Sequence, residues 1–349
     1  MIANRREQYY VLRDEVQYTI SREERKNPDV PPRLYGVLNG LLRMSSVDVC
    51  AAGSNSKLLS HDVMTGLRGR GDEVRVRPLS FSELTQSFDG NRYQGWAEDT
   101  VYGGIPLVRS MCTDEQKARY LERLFDETHL KNIVERYEIR KRGEIDDLVN
   151  VLASGIGTLT NPSKLENTFK SVLRSKISFN TISSYIGYLE DAFVIEEARR
   201  YDVKGLHRQP PEKLLRGRGA PKGAARLPTG RGEPHHGERC YDELRARGYS
   251  VDVGVVEKRV REEGRDVRRQ LEVDFVANRG SDRVYIQSAL EMGTPEKAAQ
   301  EKASLLGING NFKKVVLVRD VVKPLRDEWG VVTMSVFDFL LDENSLAGI

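Results

Sequence analysis

Thirty-five consecutive residues, 206–240, contain five prolines, six glycines and not one Ile, Val, Phe, Tyr, Trp or Met. Proline removes a backbone donor, glycine loses the most backbone entropy on folding, and neither brings much apolar surface to bury. The segment reads as a basic linker that covers no core. The folded parts of this 349-residue chain must therefore be built from what lies on either side. The segment holds eight Lys/Arg against three Asp/Glu; taking these from the chain's 55 and 52 leaves 47 against 49. The formal net charge of +3 thus comes from one odd segment and not from a basic face.

On the first flank, residues 9–17 read as a short apolar strand ending in two acids. Leu34, Leu38, Leu41 and Leu42 mark a helix, and 47–52 a buried-type strand that runs into the turn GSNS. Residues 57–67 then read as a helix and 73–76 as a third strand, the rhythm of a parallel sheet covered by helices. From 113 to 197 the pattern is helical: Leu121, Leu124 and Phe125, then Ile145, Leu148, Val149 and Leu152, recur at spacings of three and four. Within it, 163–172 predicts a short helix. After a turn at 176–178, residues 180–193 predict a longer helix with the face Ile182, Ile186 and Leu189. That order fits a helix-turn-helix or winged-helix module able to read DNA, and equally a small helical bundle.

Beyond the linker, residues 241–247 end a helix and 250–257 form a strand. Residues 270–276 and 283–287 make a hairpin, 295–306 a helix, 312–318 a strand, and 331–341 a strand leading into a short helix. The second of these strands carries Glu272 and Asp274. The fold class is α/β, in four parts: 1–110, 111–205, 206–240 and 241–349. No apolar run approaches the ~20 residues that span a bilayer. The N-terminus MIANRREQYY has no apolar signal core. A cytoplasmic protein with no membrane partner is expected. Cys50, Cys112 and Cys240 stand far apart without a CxxC pair and are expected to be incidental thiols.

Chemistry is concentrated in a few places. An apolar strand ending in two adjacent acids, here Asp14 and Glu15, is how P-loop ATPases hold Mg²⁺ through its water shell and orient an attacking water. Arg13 puts a charge where such a strand is usually buried. Asn55, in GSNSKLLS after the second strand, has the amide a γ-phosphate sensor needs. Arg68 and Arg70 in LRGR offer guanidinium forks able to reach a phosphate in a neighbouring subunit, which implies a homo-oligomer. The bland readings are a helix start and surface charges. His235, His236 and Cys240 lack a fourth ligand and the spacing of a metal site. Glu122, Asp126, Glu127 and Glu135 read as the wet face of helices.

The strings GSNSKLLS, LRGRG, PLSFSEL, YGGIPLV, LKNIVERYEIR, LEDAFVIEEARRYDVKG, LEVDFVANRG and YIQSA, in this order, resemble the prokaryotic AAA-type ATPases that carry a C-terminal domain of unknown function. The resemblance covers nearly the whole chain. It implies ATP and Mg²⁺ as cofactors, with Asp14 and Glu15 matching the Walker B acids, Asn55 the sensor, and Arg68 and Arg70 the finger region. It also implies a phosphate loop of the form GxxxxGK[ST], which occurs nowhere in the sequence. Eight residues before Tyr9 are too few for it, so an N-terminally shortened member, defective in ATP binding, is expected. The family's middle region is similar to a winged helix, with DNA a partner through 145–205. Its C-terminal part is similar to a restriction-endonuclease core. There Asp274 matches the first metal acid, with Glu272 nearby. The next triplet reads Gln287-Ser288-Ala289, an amide in place of the acid and no lysine, so a degenerate, inert site is expected. Two other readings stay open: a non-catalytic DNA-binding protein, and a decayed gene product. The second draws on 206–240. Reverse-translated and read one base on, 214–219 gives YFEDE, and 225–240 can be read in the same frame as an ordinary amphipathic stretch.

Overall fold

The computed structural model of the chain describes residues 7–21, 23–24, 31–54, 71–154, 159–203, 213–217, 235–262, 265–290, 292–320 and 322–349. Contacts divide the chain into two compact units, Met1–Val76 with Gly187–Val194, and Arg77–Ile186 with Ile195–Ile349. The first unit holds β1 (Tyr9–Arg13), a 3-10 turn at Val16–Thr19, α1 (Arg33–Leu41) and β2 (Val47–Ala51). β1 and β2 run parallel, Tyr9 beside Val47 through Arg13 beside Ala51. Val16, Ile20, Tyr35, Leu38 and Val47 are buried. Tyr10 and Leu12 are 73% and 76% exposed, and their neighbours Asp48 and Cys50 are exposed with them. One face of this ribbon is therefore wet. Arg13 lies exposed at the strand end, so its charge carries no burial cost. The strand expected at 73–76 is not formed: the segment has no regular structure, and Val74 and Val76 are exposed. With only two apolar residues set between charges, it has too little to bury against a neighbouring strand.

The second unit begins with α2 (Phe81–Gln86), α3 (Arg92–Tyr102), a 3-10 turn at Pro106–Ser110 and α4 (Asp114–Leu124). A π-helical turn at Phe125–Leu130 leads into α5 (Lys131–Arg136). Ser80 with Glu83 and Asn91 with Gln94 form capping boxes that satisfy the first amides of α2 and α3. Gly103, at φ 73°, closes α3. A Cβ on Gly104 would meet the Leu79 carbonyl oxygen at 2.1 Å, and that backbone contact holds PLS against YGGIP. Next come α6 (Arg142–Ser154), β3 (Leu159–Thr160), α7 (Pro162–Ser171), α8 (Phe179–Asp191), β4 (Ile195–Asp202) and β5 (Lys213–Gly217). The order closes with α9 (His235–Ala246), β6 (Ser250–Glu262), β7 (Arg265–Arg279), β8 (Asp282–Ala289) and α10 (Pro295–Leu306). Last are β9 (Lys313–Val318), β10 (Leu325–Arg326), β11 (Val331–Ser335) and α11 (Val336–Leu341).

Nine strands form one mixed sheet in the order β10-β11-β9-β8-β7-β6-β4-β5-β3. On one face Phe275, Ile286, Val315 and Leu317 pack with Tyr241 and Leu244 of α9, Phe81 of α2, and Phe337 and Phe339 of α11. On the other, Val276, Tyr285, Val316 and Val318 pack with Leu305 of α10 and Ile308. The 206–240 segment departs from the expected coreless linker at both ends. Residues 213–217 form β5, antiparallel to both β4 and β3, and 235–240 start a helix in which His236 and Cys240 are buried. Backbone pairing with β3 on one side and β4 on the other holds this strand. In α9 the imidazole and thiol take the places of aliphatic side chains.

Candidate functional sites

In the first unit, Asp14 and Glu15 lie at the C-terminal end of β1. The backbone keeps pairing around them: the Ala52 amide donates to the Arg13 carbonyl at 2.7 Å, and the Val16 amide to the Ala52 carbonyl at 3.1 Å. Ligands of parallel sheets bind beyond this end of the strands. Glu15 sits at φ 48°, left-handed backbone that a non-glycine residue seldom takes, and its amide donates to Asp14 Oδ1 at 2.9 Å. The local fold thus spends conformational strain to turn the chain between the two acids. Asp14 is exposed. An exposed carboxylate with a second beside it fits Mg²⁺, which keeps most of its waters and takes one or two carboxylates. Asn55, Arg68 and Arg70 lie outside the described residues.

In the second unit, the pairing of β6 with β7 slips between Asp252/Val276 and Gly254/Val273. The slip leaves β7 with one residue too many in the stretch that holds Asp274. Such bulges turn a side chain out of the regular alternation. Gly254 is required there: a Cβ would meet Val276 Cγ2 at 2.8 Å and Val273 Cβ at 2.9 Å. Asp274 Oδ2 accepts the Ser288 amide of β8 at 2.7 Å. Gln287, on the other side of β8 from Ser288, accepts from Ser304 Oγ at 3.2 Å and so braces α10. Glu272 is exposed. The sheet thus brings Asp274 and the Gln287–Ala289 triplet onto neighbouring strands. No group of three or more His, Cys, Asp or Glu able to hold a metal occurs among the described residues.

Beside Ser288 stands a constellation that sequence reasoning missed. His236 Nδ1 lies 2.5 Å from Ser288 Oγ, and its ring meets Trp96 of α3 edge-on at 6.0 Å. One turn along each helix, Arg239 forms an ion pair with Asp99 and also donates to the Asp99 carbonyl at 3.2 Å. His236 and Asp99 are 4% and 1% exposed. Among the described residues, His236 Nε2 and Asp99 Oδ2 have no hydrogen-bond partner. Burial, with Arg319 second, pulls the His236 pKa down to about 4. Burial also pushes Asp99 up to about 6, against the opposing pull of Arg239. The signal was present in sequence as paired i, i+3 positions, Trp96 with Asp99 and His236 with Arg239, but only the packing of α3 on α9 joins them.

At the level of class, residues 1–85 match the family model described as an AAA domain, so this part of the chain is similar to AAA-type ATPases. Residues 93–214 match a model described as a domain of unknown function, DUF8612. In particular, an uncharacterized protein of Haemophilus influenzae is 29% identical over 346 residues, 96% of this chain and 78% of that one. The uncharacterized protein MJ1544 of Methanocaldococcus jannaschii is 29% identical over 175 residues, 47% of this chain and 40% of that one. Protein VC1899 from Vibrio cholerae, a crystal structure, is 12% identical with a TM-score of 0.24, covering 98% of this chain and 90% of that one. Among the described residues, no helix is long and apolar enough to cross a membrane.

Proposed function

We propose that this polypeptide carries the metal- and water-orienting side of an AAA-type ATP site. The observation that carries the reading is the Asp14–Glu15 pair at the C-terminal end of a parallel strand, inside the stretch similar to an AAA domain. When bound, Mg²⁺ supplies charge neutralisation to the phosphates. Asp14 would hold its water shell, and Glu15 would accept the proton of the attacking water. Asn55 would order that water, and Arg68 and Arg70 would reach the site of a neighbouring copy. No GxxxxGK[ST] loop occurs among the 349 residues, so the set of amides and lysine that cradles β- and γ-phosphates is not in this sequence. Calorimetry of the purified polypeptide with Mg-ATP should therefore show no micromolar binding. Fusing a phosphate-loop segment ahead of Met1 should restore hydrolysis, and Glu15→Gln in that fusion should abolish it. Hydrolysis that survives Glu15→Gln would sink the reading.

A second reading is favoured by strand order. Helix, strand, helix, helix, strand, strand over α6 to β5, with β5 between β3 and β4, supports a winged-helix module and hence DNA as a partner. Likewise the order α9-β6-β7-β8-α10-β9 supports a restriction-endonuclease-like core. Its acid site is incomplete at Gln287, and plasmid incubated with the protein and Mg²⁺ or Mn²⁺ should stay intact. Cleavage that disappears on Asp274→Ala would show an active site instead.

A further inference from the structure

Three parallel strands of the large sheet end together. Ser288 of β8 lies beside Leu317 of β9, Ala289 beside Val318, and Val318 in turn beside Ser335 of β11. Ligands of parallel strands bind beyond this end. Ser288 is the last residue but one of β8 and keeps part of its surface in solvent.

A serine hydroxyl becomes a nucleophile when a base stands within hydrogen-bond reach and a third group holds that base in place. Both conditions are met at Ser288. Its Oγ lies 2.5 Å from His236 Nδ1, and the edge of the Trp96 ring packs against the imidazole. The backbone under the hydroxyl is fixed as well, since Asp274 Oδ2 accepts the Ser288 amide at 2.7 Å. His236 sits in the first turn of α9 and is 4% exposed. Burial and the charge of Arg319 keep it neutral, the form that can take a proton. A small molecule can therefore reach the serine while its base stays dry.

A purely structural role accounts poorly for this ring. Its Nε2 is buried without a hydrogen-bond partner among the described residues. An aliphatic side chain would fill the same space without that desolvation cost. Buried polar groups left unsatisfied in this way call for an explanation, and one of the usual ones is catalysis.

We propose that Ser288 and His236 form a nucleophile–base pair that cleaves small carboxylic esters. Nδ1 takes the Ser288 proton as Oγ bonds to the carbonyl carbon. The bond to the leaving oxygen then breaks, the departing alcohol carries that proton away, and an acyl-serine remains. Water gives a proton to the same nitrogen as its oxygen adds to the acyl carbon. Oγ leaves with that proton, which releases the carboxylic acid and restores the serine. The Asp274 carboxylate beside the nucleophile repels an anionic substrate and so favours a neutral ester over a phosphate. Arg319, whose amide donates to the Leu290 carbonyl at 3.3 Å just past β8, places a cation at the same edge. The step needs neither ATP nor DNA, so it stands or falls apart from both readings above.

The test treats the full chain with a fluorescent fluorophosphonate and locates the label by peptide mass spectrometry. The parent should carry it on Ser288, and Ser288→Ala should carry none there while melting close to the parent temperature. His236→Gln should slow labelling by about 10²-fold or more, the share general-base assistance ordinarily supplies. With p-nitrophenyl acetate, the parent should release a burst of p-nitrophenolate stoichiometric with protein, and Ser288→Ala should show none. That second comparison keeps the test decisive if His236→Gln does not fold. A folded parent left unlabelled at Ser288 would overturn the proposal. So would equal labelling rates in the parent and a folded His236→Gln, or an equal burst in the parent and Ser288→Ala.

Discussion

Both units contain parallel strands, and the two sets are treated in opposite ways. In the second unit β9 ends in Val315, Val316, Leu317 and Val318, all buried between helices on both faces of the sheet. In the first, β1 alternates, and Tyr10 and Leu12 stand in solvent. Parallel sheets ordinarily bury both faces, which is why their strands read as continuous apolar runs. The difference teaches where stability and chemistry reside. The nine-stranded sheet buries aliphatic and aromatic side chains on both of its faces. Among the described residues the two-stranded one is flanked by buried Val16, Ile20, Tyr35, Leu38 and Val47, and the Asp14–Glu15 pair at its end includes Glu15 at φ 48°.

The sharpest way to break this contrast is a matched pair of substitutions. Leu317→Ala is expected to cost about 2–5 kcal/mol, and Leu12→Ala no more than about 0.5 kcal/mol, both by denaturant unfolding. Comparable losses would mean that the face of β1 is covered in solution. Next in size is Arg239→Met, which leaves the buried Asp99 carboxylate without its counter-ion. At pH 7 it should destabilise by about 3 kcal/mol. The loss should shrink at pH 5, where Asp99, already raised to about 6, takes up a proton. A loss that does not depend on pH would show that Arg239 acts by packing alone.

The pH profile follows from two opposed shifts. His236 is lowered from 6.5 to about 4, so between those values the unfolded chain binds the extra proton and stability falls as pH falls. Asp99 is raised from 3.8 to about 6, so between those values the folded chain binds the extra proton and stability rises as pH falls. From about pH 6 to 4 the two slopes, each about 1.4 kcal/mol per unit, cancel. His236→Gln should uncover the Asp99 slope, and Asp99→Asn the opposite one, in chemical melts at several pH values. Parallel profiles in the two variants would refute the assignment. The smallest effect expected is at Glu15. Relieving its φ of 48° with Glu15→Gly should raise stability by up to about 1 kcal/mol. A loss instead would mean that the carboxylate braces the strand end.

Legibility followed the strength of local signals. The helix at Pro295–Leu306 was readable to the residue because Thr294 caps it and a proline opens it. The acids at the end of β1 were equally plain. β6 was expected to stop near 257 but continues to Glu262, since a run of alternating charges gives no apolar period and only pairing with β7 makes it a strand. α9 was hidden by its composition: without aliphatic residues before Tyr241, nothing announced that a ring and a thiol would be buried. Asp99 drew no reading from the sequence, because only the packing of α9 on α3 removes it from water. Asn55, Arg68 and Arg70 were legible as types, and they lie outside the described residues.

β4 has a consequence for how motion spreads. Its first half, from Ile195 to Arg199, bonds to β5, and its second half, from Arg200 to Asp202, bonds to β6. One uninterrupted backbone is thus ladder-bonded at one end to β5 and at the other to β6, beside the strand that bears Asp274. A strand shared in this way behaves as a stiff axle and not as a hinge. A twist applied at β5 would be passed along the β4 backbone to β6.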